Sequence, residues 1–298
     1  MPKKKAQPKT KKAARKTAAA KPEPIVESLV LGVPPARAWE ALTSPAVIGQ
    51  IVLGHVEMDS RPGRPFLWRW DVWSQASPEK RSGRWAGTVV DAVPGSTLVL
   101  HGGSSTTTLT VKGEGEASLV TVVHVTFSTH AAEEYRYGWA DFLLRLKTLL
   151  ERPATGESIY LRTLVRAKPD EIIRAWLTAA TMSKLLPGKA KIEPRAGGHF
   201  EWAWARPEGI MDSGIFIEIV KGHRVAFSWM GTPKPSEVRL SAEQTPYGAM
   251  VSLEHLGVSP HATHGPPGRG RQSYGRMWSH LLERMRCYFY CGKKIRTD

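Results

Sequence analysis

The chain has 298 residues, 41% of them hydrophobic and 23% charged, with a formal net charge of +15. That length accommodates about two domains, each large enough to bury a core without a metal or a disulfide. The two cysteines, Cys287 and Cys291, stand one helical turn apart, which excludes a disulfide-rich secreted scaffold and points to a reduced, cytoplasmic setting.

Residues 1–22 carry nine Lys or Arg and no acid; residues 23–156 carry twelve bases and fourteen acids; residues 157–298 carry twenty-one and thirteen. The charge is therefore +9, −2 and +8 along the chain. Residues 1–24 read as a disordered basic tail, because Lys, Ala, Pro and Thr give it nothing to bury. The basic start is followed by TKKAARKTAAAKPEP, not by the apolar core of an export signal. No run approaches the roughly 18 apolar residues of a membrane span.

From Ile25 the alternating IVESLVLGV predicts a strand; Pro34 and Pro35 stop it and open a helix around ARAWEAL, and Pro45 opens a second short helix. A strand with Val56 and Met58 and a turn at RPGRP follow. Next comes a ladder strand over 65–74, with Phe66, Trp68 and Trp70 at every second position. Strands at 84–93, 97–101, 105–112 and 117–127 are separated by PGS, HGGS and KGEGE. A helix over 131–151 closes the unit, placing Trp139, Phe142, Leu143, Leu146, Leu149 and Leu150 on one face. Residues 152–157 form a linker, which leaves two domains free to move unless their interface is large.

The second unit, 158–292, repeats this order. IYLRTLVRA is its first strand and PDEIIRAWL its first helix; strands lie near 189–194, 198–206, 211–221, 224–229, 235–244 and 247–257, and a helix spans 271–290. The ladder returns as Phe200, Trp202 and Trp204, an offset of 200 − 66 = 134. The helix face returns as Trp278, Leu281, Leu282, Met285, Tyr288 and Phe289, an offset of 278 − 139 = 139. LVTVVH over 119–124 matches MVSLEH over 250–255. Residues 293–298 are a basic C-terminal tail.

The first unit resembles the activator of heat-shock-protein-90 ATPase homologue (Aha-type) family of the START-like (SRPBCC) superfamily. The resemblance is carried by PPARAWEALTSP, PGRPF, GTVVDAVPGSTLVL, VTVVH and YGWADFLLRLKTLLE, which together cover nearly all of residues 25–151. The second unit looks like a diverged copy that keeps KPDEIIRAWLTAA, AGGHF and SLEH, and replaces Gly138–Trp139 by Arg276, Met277 and Trp278. The resemblance implies an α+β helix-grip (START-like, Bet v-like) fold in tandem, a curved antiparallel sheet around a long C-terminal helix. It implies chaperone work for eukaryotic members and, for tandem chains such as this, a cavity domain with no settled activity.

In such a fold the ligand cavity would be lined by Phe66, Trp68, Trp70, Val120, Val122, His124, Trp139, Phe142 and Leu146 in the first unit. Phe200, Trp202, Trp204, His255 and Trp278 would line it in the second. A solid aromatic core is the favoured reading of the second unit. The first is evenly balanced, because Gly83, Gly87, Gly102 and Gly103 leave volume near its ladder. His124 and His255 occupy one slot and are either cavity hydrogen-bonding groups or, at better odds, core histidines satisfied by the backbone. His261 and His264 fall short of a zinc set; no metal and no cofactor are expected. The chain carries no G-x-S-x-G, Walker or H-E-x-x-H motif.

These residues predict a noncatalytic protein that binds a small hydrophobic ligand or a protein client. The alternatives are a co-chaperone-like regulator of a chaperone ATPase, a cyclase-like enzyme, and a nucleic-acid-associated protein. The last would use Lys3, Lys4, Lys5, Lys9, Lys11, Lys12, Arg15, Lys16, Lys293 and Lys294 for phosphate contact.

Overall fold

The computed structural model describes residues 23–72, 83–126, 132–152, 157–186, 188–204, 211–230, 232, 234–259, 263–264 and 272–292. The first unit runs β1 (Ile25–Leu31), α1 (Pro35–Thr43), α2 (Pro45–Val52), β2 (His55–Met58), β3 (Pro65–Arg69), β4 (Arg84–Val93), β5 (Thr97–Gly102), β6 (Ser105–Glu114), β7 (Ala117–Thr126) and α3 (Ala132–Glu151). The second runs β8 (Ser158–Val165), α4 (Pro169–Trp176), α5 (Ala179–Leu185), β9 (Gly188–Ile192), β10 (His199–Trp204), β11 (Met211–Val220), β12 (Arg224–Trp229), β13 (Ser236–Thr245) and β14 (Gly248–Leu256). A ribbon of β15 (Thr263–His264) and β16 (Gln272–Ser273) leads into α6 (Tyr274–Tyr290).

Each unit is a seven-stranded antiparallel sheet of one topology, β1-β7-β6-β5-β4-β3-β2 and β8-β14-β13-β12-β11-β10-β9. This is the α+β helix-grip architecture, twice. The turns β4–β5 and β11–β12 both need a left-handed residue, and Gly95 (φ 82°) and Gly222 (φ 76°) supply it. Two local expectations change. The ladder strand ends at Arg69, so Trp70 lies beyond it, its N–H donating to the Gly83 carbonyl at 2.7 Å. The short helix α5, which buries Met182 and Leu185, fills the place of α2 that the repeated order implied but did not locate, and the β15–β16 ribbon was not expected.

The strand registers align the two cores residue by residue. Phe66 pairs with Gly87 as Phe200 pairs with Gly214, and Val89 pairs with Leu100 as Phe216 pairs with Phe227. On that register Trp85 corresponds to Asp212 and Gly102 to Trp229. One aromatic slot is thus filled from different strands. The Trp85 ring lies 4.7 Å from Phe66, 5.3 Å from Trp68 and 6.0 Å from Trp139. The Trp229 ring lies 6.3, 5.7 and 5.0 Å from the counterparts Phe200, Trp202 and Trp278. Gly102 is glycine because a Cβ there would sit 2.5 Å from Trp85 Nε1, and one on Gly87 would sit 1.9 Å from the His101 carbonyl oxygen. These glycines therefore do not leave free volume; they are points of close approach.

Helix α3 lies between the two sheets and seals one edge of each. On β1, Lys147 Nζ donates to the Val30 carbonyl at 2.7 Å, and Glu151 Oε1 accepts the Gly32 N–H at 2.6 Å. On β8, Tyr137 Oη donates to the Leu164 carbonyl at 2.5 Å, and Asp141 Oδ1 accepts the Leu164 N–H at 2.8 Å. Each edge is served by an i, i+4 pair on a single helix, which satisfies backbone groups that a sheet edge otherwise exposes.

Around this contact four charged side chains leave water. Arg145 pairs with Asp141 at 2.9 Å and with Glu283 at 2.5 Å; Arg286 pairs with Glu283 at 3.0 Å and stands 3.6 Å from Asp141. Arg145 also donates to Thr163 Oγ1 at 2.7 Å, and Arg286 to Tyr137 Oη at 3.1 Å. The set is neutral, two cations against two anions. Burial by itself would raise the Glu283 carboxyl, but the guanidiniums of Arg145 and Arg286 outweigh it and hold the group down at about 2. Arg145 and Arg284 correspond in the repeat (284 − 145 = 139), and each donates to the end of its unit's second short helix, at Ile51 O (3.2 Å) and Leu185 O (2.8 Å). Arg145 also reaches into the other unit, to Glu283 and Thr163. Glu283→Gln strands two buried guanidiniums beside one carboxylate, so we expect a loss of about 3–5 kcal/mol in urea unfolding; a change under about 1 kcal/mol would show that the network is dispensable.

Candidate functional site

The residues expected to line a cavity converge on the concave face of each sheet. In the second unit, Trp176, Phe200, Trp202, Phe216, Phe227, Trp229 and Trp278 are all at most 1% exposed. Their rings meet at 4.9–6.4 Å, with Val251 and Leu253 closing the sheet side. Aromatic pairs at these separations pack edge-to-face and offset, and fill space. Trp204 is half-buried and donates from Nε1 to Asp212 Oδ2 at 2.6 Å. Asp212 stands where the first unit has Trp85, so this polar pair accompanies the exchange of aromatic residues.

In the first unit, Trp68 stacks on Phe142 at 5.7 Å, and Trp139 meets Trp68 at 6.3 Å and Phe142 at 5.5 Å. Phe66, Leu146, Val120 and Val122 are buried around them, while Trp70 and Trp85 are half-buried. The indole N–H groups of Trp68 and Trp85 are buried with no hydrogen-bond partner.

The paired histidines separate the two units. His255 Nδ1 accepts the Trp278 indole N–H at 2.9 Å, so its proton resides on Nε2, which donates to Ser236 Oγ at 2.8 Å. That imidazole is neutral and fully satisfied by side chains. His124 bonds Thr107 Oγ1 through Nδ1 at 2.7 Å, but its Nε2 is buried without a partner. The equivalent indole, Trp139, lies 5.9 Å away ring to ring, and Tyr135 covers the imidazole at 4.3 Å. Burial lowers both histidines to about 4. At this histidine position the units differ by an open nitrogen, His124 Nε2.

Cys287 is buried in α6 with its sulfur 3.8 Å from that of Cys291, and burial first, then Cys291, pushes its thiol up, away from thiolate reactivity. Lys3, Lys4, Lys5, Lys9, Lys11, Lys12, Arg15, Lys16, Lys293 and Lys294 lie outside the described residues, as do His261 and the side chain of His264. Among the described residues no helix is long and apolar enough to cross a membrane.

Comparison with known proteins bears on this architecture directly. The family model described as Activator of Hsp90 ATPase homolog 1-like protein matches residues 32–151 and again residues 166–289. The chain belongs to this family. Both matches fall on the sheet-and-helix units, so this is a tandem member. A search of curated proteins finds no match. Among solved structures, DynU16 from the dynemicin biosynthetic locus is 18% identical over 91% of this chain and 97% of its own, at a TM-score of 0.37. The di-domain ARO/CYC BexL is 14% identical over 91% and 97%, at 0.35. The Aha1 dimer from Colwellia psychrerythraea is 14% identical over 46% and 98%, at 0.36.

The histidines make stability depend on pH. Each titrates near 6.5 when unfolded and about 4 when folded, so below 6.5 the unfolded chain binds protons that the folded one excludes. Stability is full above about 6.5 and falls as pH drops toward about 4. A melting series from pH 7 to 4 should show this decline, and the His124→Gln/His255→Gln variant should flatten it. An unchanged slope in that variant would place the protons elsewhere.

Proposed function

We propose that this family member is a noncatalytic binding protein. Its first unit holds a small, largely apolar molecule bearing one carbonyl or hydroxyl group, and its second unit is a filled scaffold. The observation that supports this is the buried, unpartnered Nε2 of His124, set against its fully bonded counterpart His255. An unmade buried hydrogen bond costs about 1–3 kcal/mol, which a ligand oxygen at Nε2 would recover. The rings of Tyr135, 4.3 Å away, and Trp139, 5.9 Å away, supply apolar surface beside it. His124, neutral above about 4, serves as a hydrogen-bonding group; among the described residues no carboxylate bonds it to make an acid–base pair. Burying roughly 300 Å² of ligand is worth about 7.5 kcal/mol before association costs, so micromolar affinity is the ceiling. Titration with 1-naphthol, followed by tryptophan fluorescence, should saturate, and His124→Phe should weaken it about tenfold. Equal affinity in the variant, or no binding by the wild type at millimolar concentration, would overturn the assignment.

A second reading, contact with a chaperone ATPase, is favoured by an apolar row on the outer face of β11. Met211, Ile215 and Ile217 are 62, 40 and 53% exposed, with Met230 at 56% beside them. Open apolar faces of this kind mark protein-contact surfaces, and the family description names an ATPase activator. If this holds, the protein should raise the ATPase rate of a purified Hsp90-class chaperone, and Met211→Lys/Ile217→Lys should abolish the increase. A rate unaffected by the wild-type protein removes the reading.

A further inference from the structure

A groove of about 980 Å³ runs between the units, bounded by α2, β2 and α3 on one side and by β8 and the first turns of α6 on the other. Its volume falls at the upper end of small-molecule sites, about 300–1,000 Å³. Its charge is one-sided: the lining contains five arginines and a single carboxylate, Asp71. Asp71 is taken by Arg69 at 2.6 Å, and Arg145 is spent on Asp141 and Glu283. That leaves Arg152, Arg162 and Arg276 with no carboxylate at ion-pair distance among the described residues.

These three are arranged around two features. Arg152 and Arg162 both sit against the Tyr160 ring, at 4.2 and 4.9 Å from its centroid, so two like charges are held at one aromatic platform. The Arg162 Nε is buried with no hydrogen-bond acceptor. On the same side as β8 and facing α3 with its Arg152, Arg276 is exposed in the first turn of α6, whose N-cap Ser273 accepts the Arg276 N–H at 3.3 Å. The positive end of a 17-residue helix therefore adds to the guanidiniums. Among the described residues, the Arg276 guanidinium donates from Nε to His280 Nε2 at 3.5 Å.

The geometry points to an anion site between the units, taking a small soluble molecule that carries two or more phosphate groups. Guanidinium forks match phosphate oxygens in pairs, helix N-termini take phosphate through the same partial charge, and cations from both walls would be bridged by one ligand. The site is separate from the one proposed at His124 and does not rest on it.

The test is calorimetric titration of the full chain with inorganic tripolyphosphate at low salt, comparing wild type with Arg152→Gln/Arg162→Gln/Arg276→Gln. The Lys-rich residues 1–22 are present in both proteins, so the difference isolates the groove. We expect one site to be lost or weakened at least about tenfold in the triple variant, since hydrogen bonds to charged groups account for at least that factor. Matching isotherms, or a wild type without saturable binding, overturn the proposal. If the triple variant melts abnormally, Arg276→Gln alone decides: that side chain is exposed, and a several-fold loss supports the site while unchanged affinity refutes it.

Discussion

Four ionised groups removed from water at the meeting of the two units constrain everything around them. Taking Asp141, Arg145, Glu283 and Arg286 out of solvent costs several kcal/mol per ion, and the arrangement holds only because cations and anions alternate and their remaining hydrogen-bonding positions find Thr163, Tyr137 and backbone. Helix α3 therefore has a duty in both units. It covers its own sheet with its apolar face and presents its polar face to the neighbour. Because Arg145 is spent in that network, the charge of the groove above it resides in other arginines.

The halves share a topology and divide the work. The second is packed to a continuous aromatic interior in which even the histidine is bonded at both nitrogens. The first keeps the same slot but omits one bond, because the Trp139 indole stands near His124 without donating to it. The approach of one indole separates a histidine bonded at both nitrogens from one with an unmet nitrogen. The repeat thus works as an internal control, showing which feature belongs to the fold and which to one copy.

The fold was legible in the sequence because it is written in local periodicity. The aromatic alternation of 66–70 and 200–204 and the helical spacing from Trp139 to Leu150 fixed sheet, helix and copy number, and strands such as 84–93 and 224–229 fell where turn residues placed them. The fold's family resemblance followed from the same stretches. What the sequence hid was pairwise and distant. Nothing local to Asp141 or Tyr137 announces that their partner is the backbone of Leu164, and Glu283 reads as an ordinary surface residue until α6 is set against α3. The glycines misled for a related reason: Gly87 and Gly102 look like absent volume in one dimension, whereas in three they admit a neighbouring carbonyl and an indole. The open nitrogen of His124 was equally invisible, since His124 and His255 share a sequence context and differ only in the approach of a ring from another element.

The Trp85/Gly102 and Asp212/Trp229 exchange also constrains how one copy became the other. With Trp85 in place, any side chain at 102 would collide with it, so a second indole could not have been gained first. The indole on the β4-type strand had to be lost before one on the next strand arose, or the reverse. Exchanging the two arrangements one residue at a time would pass through a form with that slot vacant, a defect of about 3–5 kcal/mol by the measure of core truncations. Such a vacancy is survivable only in a protein with stability to spare, and a second, covalently attached copy is one source of that surplus.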